Sequence, residues 1–189
     1  SRRFLRKRGM RSMAVQAPLR DSFNESIVIG IDLSMTATGI CWGHNKAETL
    51  RFRNNKRDPK GDVRLCRIRD MIDLKLGLYQ PQLVVIEGFV PYGTGSQILA
   101  MVHGVAREVL AHRGANVMQV SPSSLKKWAA GHGKATKQDM LEALPTAADA
   151  SEWDDNAVDA WWLRRAGVYH LVGEDSPVKE LKCSPISLR

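Results

Sequence analysis

The chain has 189 residues, of which 43% are hydrophobic and 25% are charged, as expected of one soluble domain with a complete core. No apolar run approaches the ~20 residues that a membrane-spanning helix needs, which argues against a transmembrane protein. Lysine and arginine number 28 against 20 acidic residues, a net charge of +8 that favours a polyanionic partner such as DNA or RNA.

The N-terminal stretch is strongly basic. Seven basic residues fall within the first twenty, and the first acid is Asp21. We interpret residues 1–25 as a flexible arm that touches phosphates, with a mitochondrial targeting segment as the alternative. Cys41, Cys66 and Cys183 are odd in number and lack metal-type spacing, which predicts free thiols in a reducing compartment. Because we favour the flexible arm over a targeting segment, we expect the cytoplasm rather than the mitochondrial matrix.

The order of predicted elements indicates an α/β fold with a mixed sheet. Apolar patterning, turn residues and helical spacing predict five strands at Ile27–Asp32, Thr38–Gly43, Glu48–Arg53, Leu83–Glu87 and Asn116–Val120. The same signals predict helices at Val63–Tyr79, Ser96–His112, Pro122–Ala130, Thr136–Leu144 and Glu152–Leu171. The folded domain is therefore expected over residues 26–172, followed by a poorly ordered tail at 173–189.

Two of the predicted strands share one design. Ile27–Asp32 and Leu83–Glu87 are both continuously apolar and both end on an acid. Continuous apolar strands suit the centre of a sheet that is covered on both faces. Carboxylates at the ends of such strands meet at one edge, where α/β folds bind ligands. A single strand-end acid is more often a cap or a turn residue, so the pair carries the inference.

The last predicted helix adds further acids. Ser151 followed three residues later by Asp154 resembles a helix start, which gives Asp154 a structural role. Asp155 and Asp159 are four residues apart and share one helix face. A helical wheel places them on the stripe of Val158, Trp162, Ala166 and Tyr169, and places Ala157 and Arg164 on the far side.

Acids on an apolar stripe are costly unless cations neutralise them. Oxygen ligands without paired His or Cys indicate Mg²⁺, with Mn²⁺ as a substitute. Carboxylates from three segments in a basic chain suit phosphodiester cleavage with two metal ions, which activate a water and stabilise the leaving oxygen.

The segments GIDLSMTATGICW, VVIEGF, DDNAVDAWWL and SPSSLKKWAAGHGKATK together resemble RuvC-type Holliday junction resolvases of the ribonuclease H-like superfamily. The likeness runs from about residue 27 to residue 171, and the glycine loop is similar to the bacteriophage branch. It implies a five-stranded mixed sheet flanked by helices, a homodimer, and Mg²⁺-dependent cutting of four-way junctions into ends with 5′-phosphates. This activity belongs to DNA recombination and repair.

The resemblance also assigns residues to the site. Asp32, Glu87 and Asp159 match the metal-binding acids of the family. Three residues before the last acid the family carries Asp or His, and this chain has Asn156. Asn156 offers a carbonyl oxygen without charge, so we expect Asp155 to serve as the fourth ligand, with Asn156 as the alternative.

Lysines and aromatic residues complete the predicted DNA contacts. Lys126 and Lys137 match DNA-contacting lysines around the Gly131-His132-Gly133 loop, and Lys137 is the candidate catalytic cation. Lys127, which could exchange roles with Lys126, and Lys134 are further candidates. Near Glu87 the family places an aromatic wedge, for which Phe89 and Tyr92 flank the matching Val90. A core position is the alternative for Phe89.

Three other functions compete with junction resolution. A catalytically silent junction-binding module would share the fold, but its acids would repel phosphates without metal. A broader nuclease that cuts flaps and forks is compatible with the same residues. GIDLSMTATG also resembles the first phosphate loop of actin-like ATPases, but those folds need a second such domain and a second glycine-rich loop, which the sequence lacks.

Overall fold

The computed structural model of the chain describes residues 28–52, 60–89 and 95–180. The basic arm predicted at 1–25, the end of the tail at 181–189, and the sequence candidates Tyr92 and Cys183 lie outside the described residues. None of the described helices has both the length and the apolar character required to cross a bilayer.

All predicted elements are present with small changes of boundary. The strands are β1 (Val28–Asp32), β2 (Ala37–Gly43), β3 (Lys46–Arg51), β4 (Leu83–Glu87), β5 (Val117–Val120) and β6 (Lys179–Glu180). The helices are α1 (Asp62–Tyr79), α2 (Ser96–His112), α3 (Pro122–Ala130), α4 (Lys137–Glu142) and α5 (Asp155–Leu171).

The sheet is mixed and has the order β3-β2-β1-β4-β5-β6. β1, β4 and β5 are parallel, and β2, β3 and β6 pair with their neighbours in the antiparallel sense. The predicted α/β class is confirmed, but within the described part of the chain the sheet has six strands instead of the predicted five. The extra strand, β6, pairs with β5 in the segment that was expected to be poorly ordered.

Both faces of the sheet are covered, as the continuous apolar strands predict. On one face, Ile29 and Ile86 pack in a core with the buried stripe of α1 and with α2. On the other face, Val28 and Val85 pack in a core with α5 and with residues of α3 and α4.

The helix α5 lies directly on the sheet. A Cβ at Gly30 of β1 would stand 2.1 Å from the carbonyl oxygen of Ala160, and one at Gly39 of β2 would stand 2.1 Å from that of Asn156. The helical wheel placed Ala157 and Arg164 on the side of α5 away from the apolar stripe, but both residues are buried. The wheel therefore does not separate a buried side of α5 from an exposed one. α5 is enclosed on most sides, so no single apolar stripe marks its inner face.

Candidate active site

The candidate site begins where two parallel strands end side by side. Ile31 of β1 is in register with Ile86 of β4, and the next residues are Asp32 and Glu87. The two carboxylates therefore leave the sheet at the same edge, as predicted. Each is partly buried, whereas the residues before it on its strand are buried completely.

Asp159 of α5 completes a group of three acids that interact electrostatically. Burial, followed by the charges of Glu87 and Asp159, raises the pKa of Asp32 well above its ordinary value. Burial and the charge of Asp159 raise the pKa of Glu87 to about 7. Burial also raises the pKa of Asp159 to about 6. We call Asp32, Glu87 and Asp159 the carboxylate cluster.

Two lysines act on the carboxylate cluster from neighbouring segments. The positive charge of Lys126, on α3, partly offsets the rise in the pKa of Glu87 and of Asp159. The charge of Lys137, the first residue of α4, partly offsets the rise in the pKa of Asp32 and of Asp159. The structure therefore brings both predicted lysines to the three acids.

The other predicted basic residues, Lys127 and Lys134, lie on α3 and in the loop between α3 and α4. Gly131 has a φ of 87°, a left-handed conformation that ends α3 and suits glycine. Lys127 and Lys134 are both exposed. Exposed lysines suit contact with the phosphate backbone.

The acids at the start of α5 have different surroundings. Asp154, and not Ser151, caps the helix, because its carboxylate accepts hydrogen bonds from the backbone N–H groups of Asn156 and Ala157. Although burial opposes it, hydrogen bonds from Thr49 and Arg51 bring the pKa of Asp154 below its ordinary value. The structural role predicted for Asp154 is confirmed, and α5 begins at Asp155 instead of Glu152.

Asp155 and Asn156 were the two candidates for a fourth ligand. The Asp155 carboxylate is 51% exposed and lies 2.7 Å from the Lys137 ammonium. Asn156 is partly buried, and its backbone carbonyl faces Gly39. No sequence signal indicates the pair between Asp155 and Lys137, because the two residues stand 18 positions apart across a loop.

The chemistry of the carboxylate cluster fits a divalent cation. Burial and the charges of neighbouring residues perturb the pKa values of its three acids. Buried acids that raise one another's pKa are stabilised by a hard cation, which prefers oxygen ligands. Among the described residues, no three His, Cys, Asp or Glu side chains are already gathered closely enough to hold a metal.

Phe89 follows the cluster on the loop after β4. Its side chain is 38% exposed, and its ring centroid is 5.5 Å from that of the buried His103 on α2. Phe89 is therefore partly exposed and partly packed against the protein, so it combines a core contact with a face that DNA could reach. Sequence reasoning missed His103 as its support, since a single histidine on a helix carries no signal.

Comparison with known proteins identifies the family. The family model for crossover junction endodeoxyribonuclease RuvC matches residues 28–155 of this chain. The chain belongs to this family. The RuvC of Clavibacter sepedonicus is 27% identical over 172 residues, which cover 80% of this chain and 83% of that protein. The RuvC of Prochlorococcus marinus strain MIT 9301 is 30% identical over 141 residues, which cover 70% of this chain and 90% of that protein.

Solved RuvC structures share the fold. The structure of Thermus thermophilus RuvC aligns with a TM-score of 0.63 and 21% identity over 82% of this chain and 99% of that one. T. thermophilus RuvC in complex with a Holliday junction substrate aligns with a TM-score of 0.59 and 22% identity, over 79% of this chain and 98% of that one. The resemblance drawn from the motifs is thus confirmed, and membership of the RuvC family implies dependence on a divalent metal.

Proposed function

We propose that the chain is a metal-dependent endonuclease that resolves four-way DNA junctions by paired, symmetric nicks with 5′-phosphate ends. The observation that carries this proposal is the meeting of Asp32, Glu87 and Asp159 at one sheet edge, with Lys126 and Lys137 acting on them. Membership of the RuvC family and the names of the relatives as crossover junction endodeoxyribonucleases support it.

Each group at the site has a task in phosphodiester cleavage. Asp32, Glu87 and Asp159 would hold divalent ions, for which we propose Mg²⁺. When bound, such ions supply activation of a water and neutralisation of charge on the leaving oxygen. Lys126 and Lys137 bring positive charge to the edge where the scissile phosphate would lie, and so stabilise the charge that develops there.

Other basic and aromatic residues would position the DNA. The exposed Lys127 and Lys134 lie on the α3 helix and the loop that follows it, and the net charge of +8 favours the phosphate backbone. We propose that Phe89, together with Tyr92, stacks on unpaired bases at the centre of the junction. The partial exposure of Phe89 beside Glu87 supports this role.

Paired nicks on two strands need two active sites, so we propose that the chain acts as a homodimer. Helix α2 supports this, since Ile98 is 51% and Met101 is 47% exposed. Ala100 is exposed on the same helix, and a Cβ at Gly104 would meet no described heavy atom within 4 Å. Light scattering should give twice the 21.1 kDa mass of the chain, and Met101→Glu should shift it toward the monomer.

We also propose a cytoplasmic location, the host cytoplasm if the chain comes from the bacteriophage branch. Among the described residues, Cys41 and Cys66 are free thiols, which supports a reducing compartment. The likeness to the bacteriophage branch stays a prediction from the loop sequence.

The test is cleavage of a labelled four-way junction, with a flap and a linear duplex of matched sequence beside it. We expect paired nicks on the junction in Mg²⁺, none in EDTA, and little cutting of the duplex. Asp32→Asn should retain junction binding but slow cleavage by ~10³-fold or more, because several kcal/mol of transition-state stabilisation depend on the metal.

Two results would revise the proposal. Comparable cutting of the flap would widen the function to branched DNA in general. Tight junction binding without cutting in either Mg²⁺ or Mn²⁺ would favour the binding module and contradict the nuclease.

A further inference from the structure

The pair formed by Asp155 and Lys137 links the first turns of α4 and α5. The Lys137 Nζ donates a hydrogen bond of 2.7 Å to Oδ2 of Asp155. Both side chains are exposed, Lys137 to 72% and Asp155 to 51%. An ion pair in such contact with water contributes little to folding stability. The effect of the ion pair is therefore local: it restrains the position of the Lys137 ammonium.

The positive charge of Lys137 acts on the carboxylate cluster. Lys137 acts on Asp32 and on Asp159, while Asp155 acts on Asp159 alone among the three acids. Asp155 is exposed at the start of α5, whereas the three acids of the carboxylate cluster are partly buried. An acid in that place is better situated to hold the lysine than to share a cation with Asp32 and Glu87.

The neighbours of Asp155 do not compete for Lys137. Asp154 is engaged in capping α5 and in hydrogen bonds from Thr49 and Arg51. Asn156 is neutral, and its backbone carbonyl faces Gly39. Asp155 is therefore the acid in the first turn of α5 that restrains the Lys137 ammonium.

We propose that Asp155 is a positioning residue that restrains Lys137 in the DNA-free protein, and that a DNA phosphate displaces it from the lysine. The proposal rests on the proposed junction-cleaving function. It departs from the expectation that Asp155 is a metal ligand. In this arrangement a phosphate that approaches Lys137 competes with Asp155 for the ammonium.

The first consequence concerns metal-free junction binding. Removal of the carboxylate in Asp155→Asn would release Lys137, so junction affinity in EDTA should rise about two- to fivefold. The plot of log affinity against log salt concentration should also become steeper, by the amount expected for about one additional phosphate contact. The matched control is Glu152→Gln, which removes the same charge from an exposed position three residues earlier.

A double-mutant comparison separates restraint from general repulsion of DNA. In a Lys137→Ala background, Asp155→Asn should give no further gain in affinity. An equal gain from Glu152→Gln, or a gain that persists without Lys137, would overturn the proposal. A loss of Mn²⁺ affinity of tenfold or more in Asp155→Asn, measured by calorimetry without DNA, would instead make Asp155 a ligand and also overturn it.

Lysine labelling tests the restraint without DNA. With an amine-reactive acetylating reagent and peptide mass spectrometry, Asp155→Asn should speed labelling of Lys137 several-fold, with Lys134 unchanged. An unchanged Lys137 rate would contradict the restraint even if junction cleavage is found. If the wild type neither binds nor cuts junctions, the proposed function fails, and the labelling result still decides whether Asp155 restrains the lysine.

Discussion

The substitution Gly30→Ala tests the packing that brings Asp159 to Asp32. A Cβ at position 30 would stand 2.1 Å from the carbonyl oxygen of Ala160 and 2.4 Å from the backbone nitrogen of Arg164. Cβ contacts below 3.0 Å essentially do not occur, so α5 must retreat by about 3.0 − 2.1 = 0.9 Å at this point. Both obstacles are backbone atoms, and no change of rotamer relieves them.

Two effects should follow from this displacement. Overpacking of a well-packed core costs ~1–3 kcal/mol, which lowers the melting temperature by roughly 2–12 °C in a chain of this size. Asp159 precedes the displaced Ala160, so the carboxylate cluster should also be distorted. A misplacement of about 1 Å can lower the cleavage rate by ~10²-fold. Thermal denaturation followed by circular dichroism, then single-turnover cleavage below the melting transition, measures both.

Gly77→Ala is the matched control for this prediction. In α1, a Cβ at position 77 would stand 3.6 Å from the Arg113 guanidinium, an ordinary contact. Alanine in a helix interior should stabilise the protein by ~0.5–1 kcal/mol and leave cleavage unchanged. A Gly30→Ala protein that melts and cleaves like the wild type would refute the close packing of α5 on β1.

Three further predictions concern the site. In EDTA, the pKa of Glu87 is about 7 in the folded protein and 4.5 in the unfolded chain. The folded protein therefore binds this proton more tightly, so the contribution of Glu87 to stability is greatest below pH 4.5 and falls as the pH rises to 7. Urea denaturation at pH 5 and 8 should show a loss of stability in the wild type that is smaller in Glu87→Gln by on the order of 1–3 kcal/mol. The variant keeps the part of the loss that Asp32 and Asp159 cause, because their pKa values are raised too. Lys126→Ala should slow single-turnover cleavage by ~10²-fold. Lys127→Ala should leave the rate within a few-fold and reduce the salt slope of junction binding by about one. Phe89→Ala should weaken junction binding by ~1–3 kcal/mol and reduce the fluorescence of 2-aminopurine at the junction centre. Lost thermal stability with an unchanged fluorescence signal would instead assign Phe89 to the core.

The sheet and its acidic edge could be predicted because their signals are local. Continuous apolar runs that end in Asp32 and Glu87 indicate central strands, and parallel pairing then places both acids at one edge. Helix spacing singled out Asp155 and Asp159, and the resemblance to the RuvC family then matched Asp159 and the lysines to the site. Helix spacing also gave the buried stripe of α1, from Leu65 to Leu76.

Contacts between distant segments could not be predicted. Because α5 is buried on most sides, its periodicity does not reveal that Ala160 and Asn156 face the sheet, over Gly30 and Gly39. Several acids stand near the start of α5, and the hydrogen bonds that the Asp154 carboxylate accepts from Asn156 and Ala157 make it the cap. The strand β6 has two charged residues, too few for any pattern.

The central claim is that Asp32, Glu87 and Asp159 form the metal-dependent cleavage site. The most direct measurement is an Mg²⁺ titration of four-way junction cleavage by the wild type, Asp159→Asn and Asp154→Asn. Asparagine still caps a helix, so Asp154→Asn should cut like the wild type, while Asp159→Asn should bind the junction without cutting it. Cleavage that survives Asp159→Asn, or that is lost in Asp154→Asn with the fold intact, would contradict the assignment.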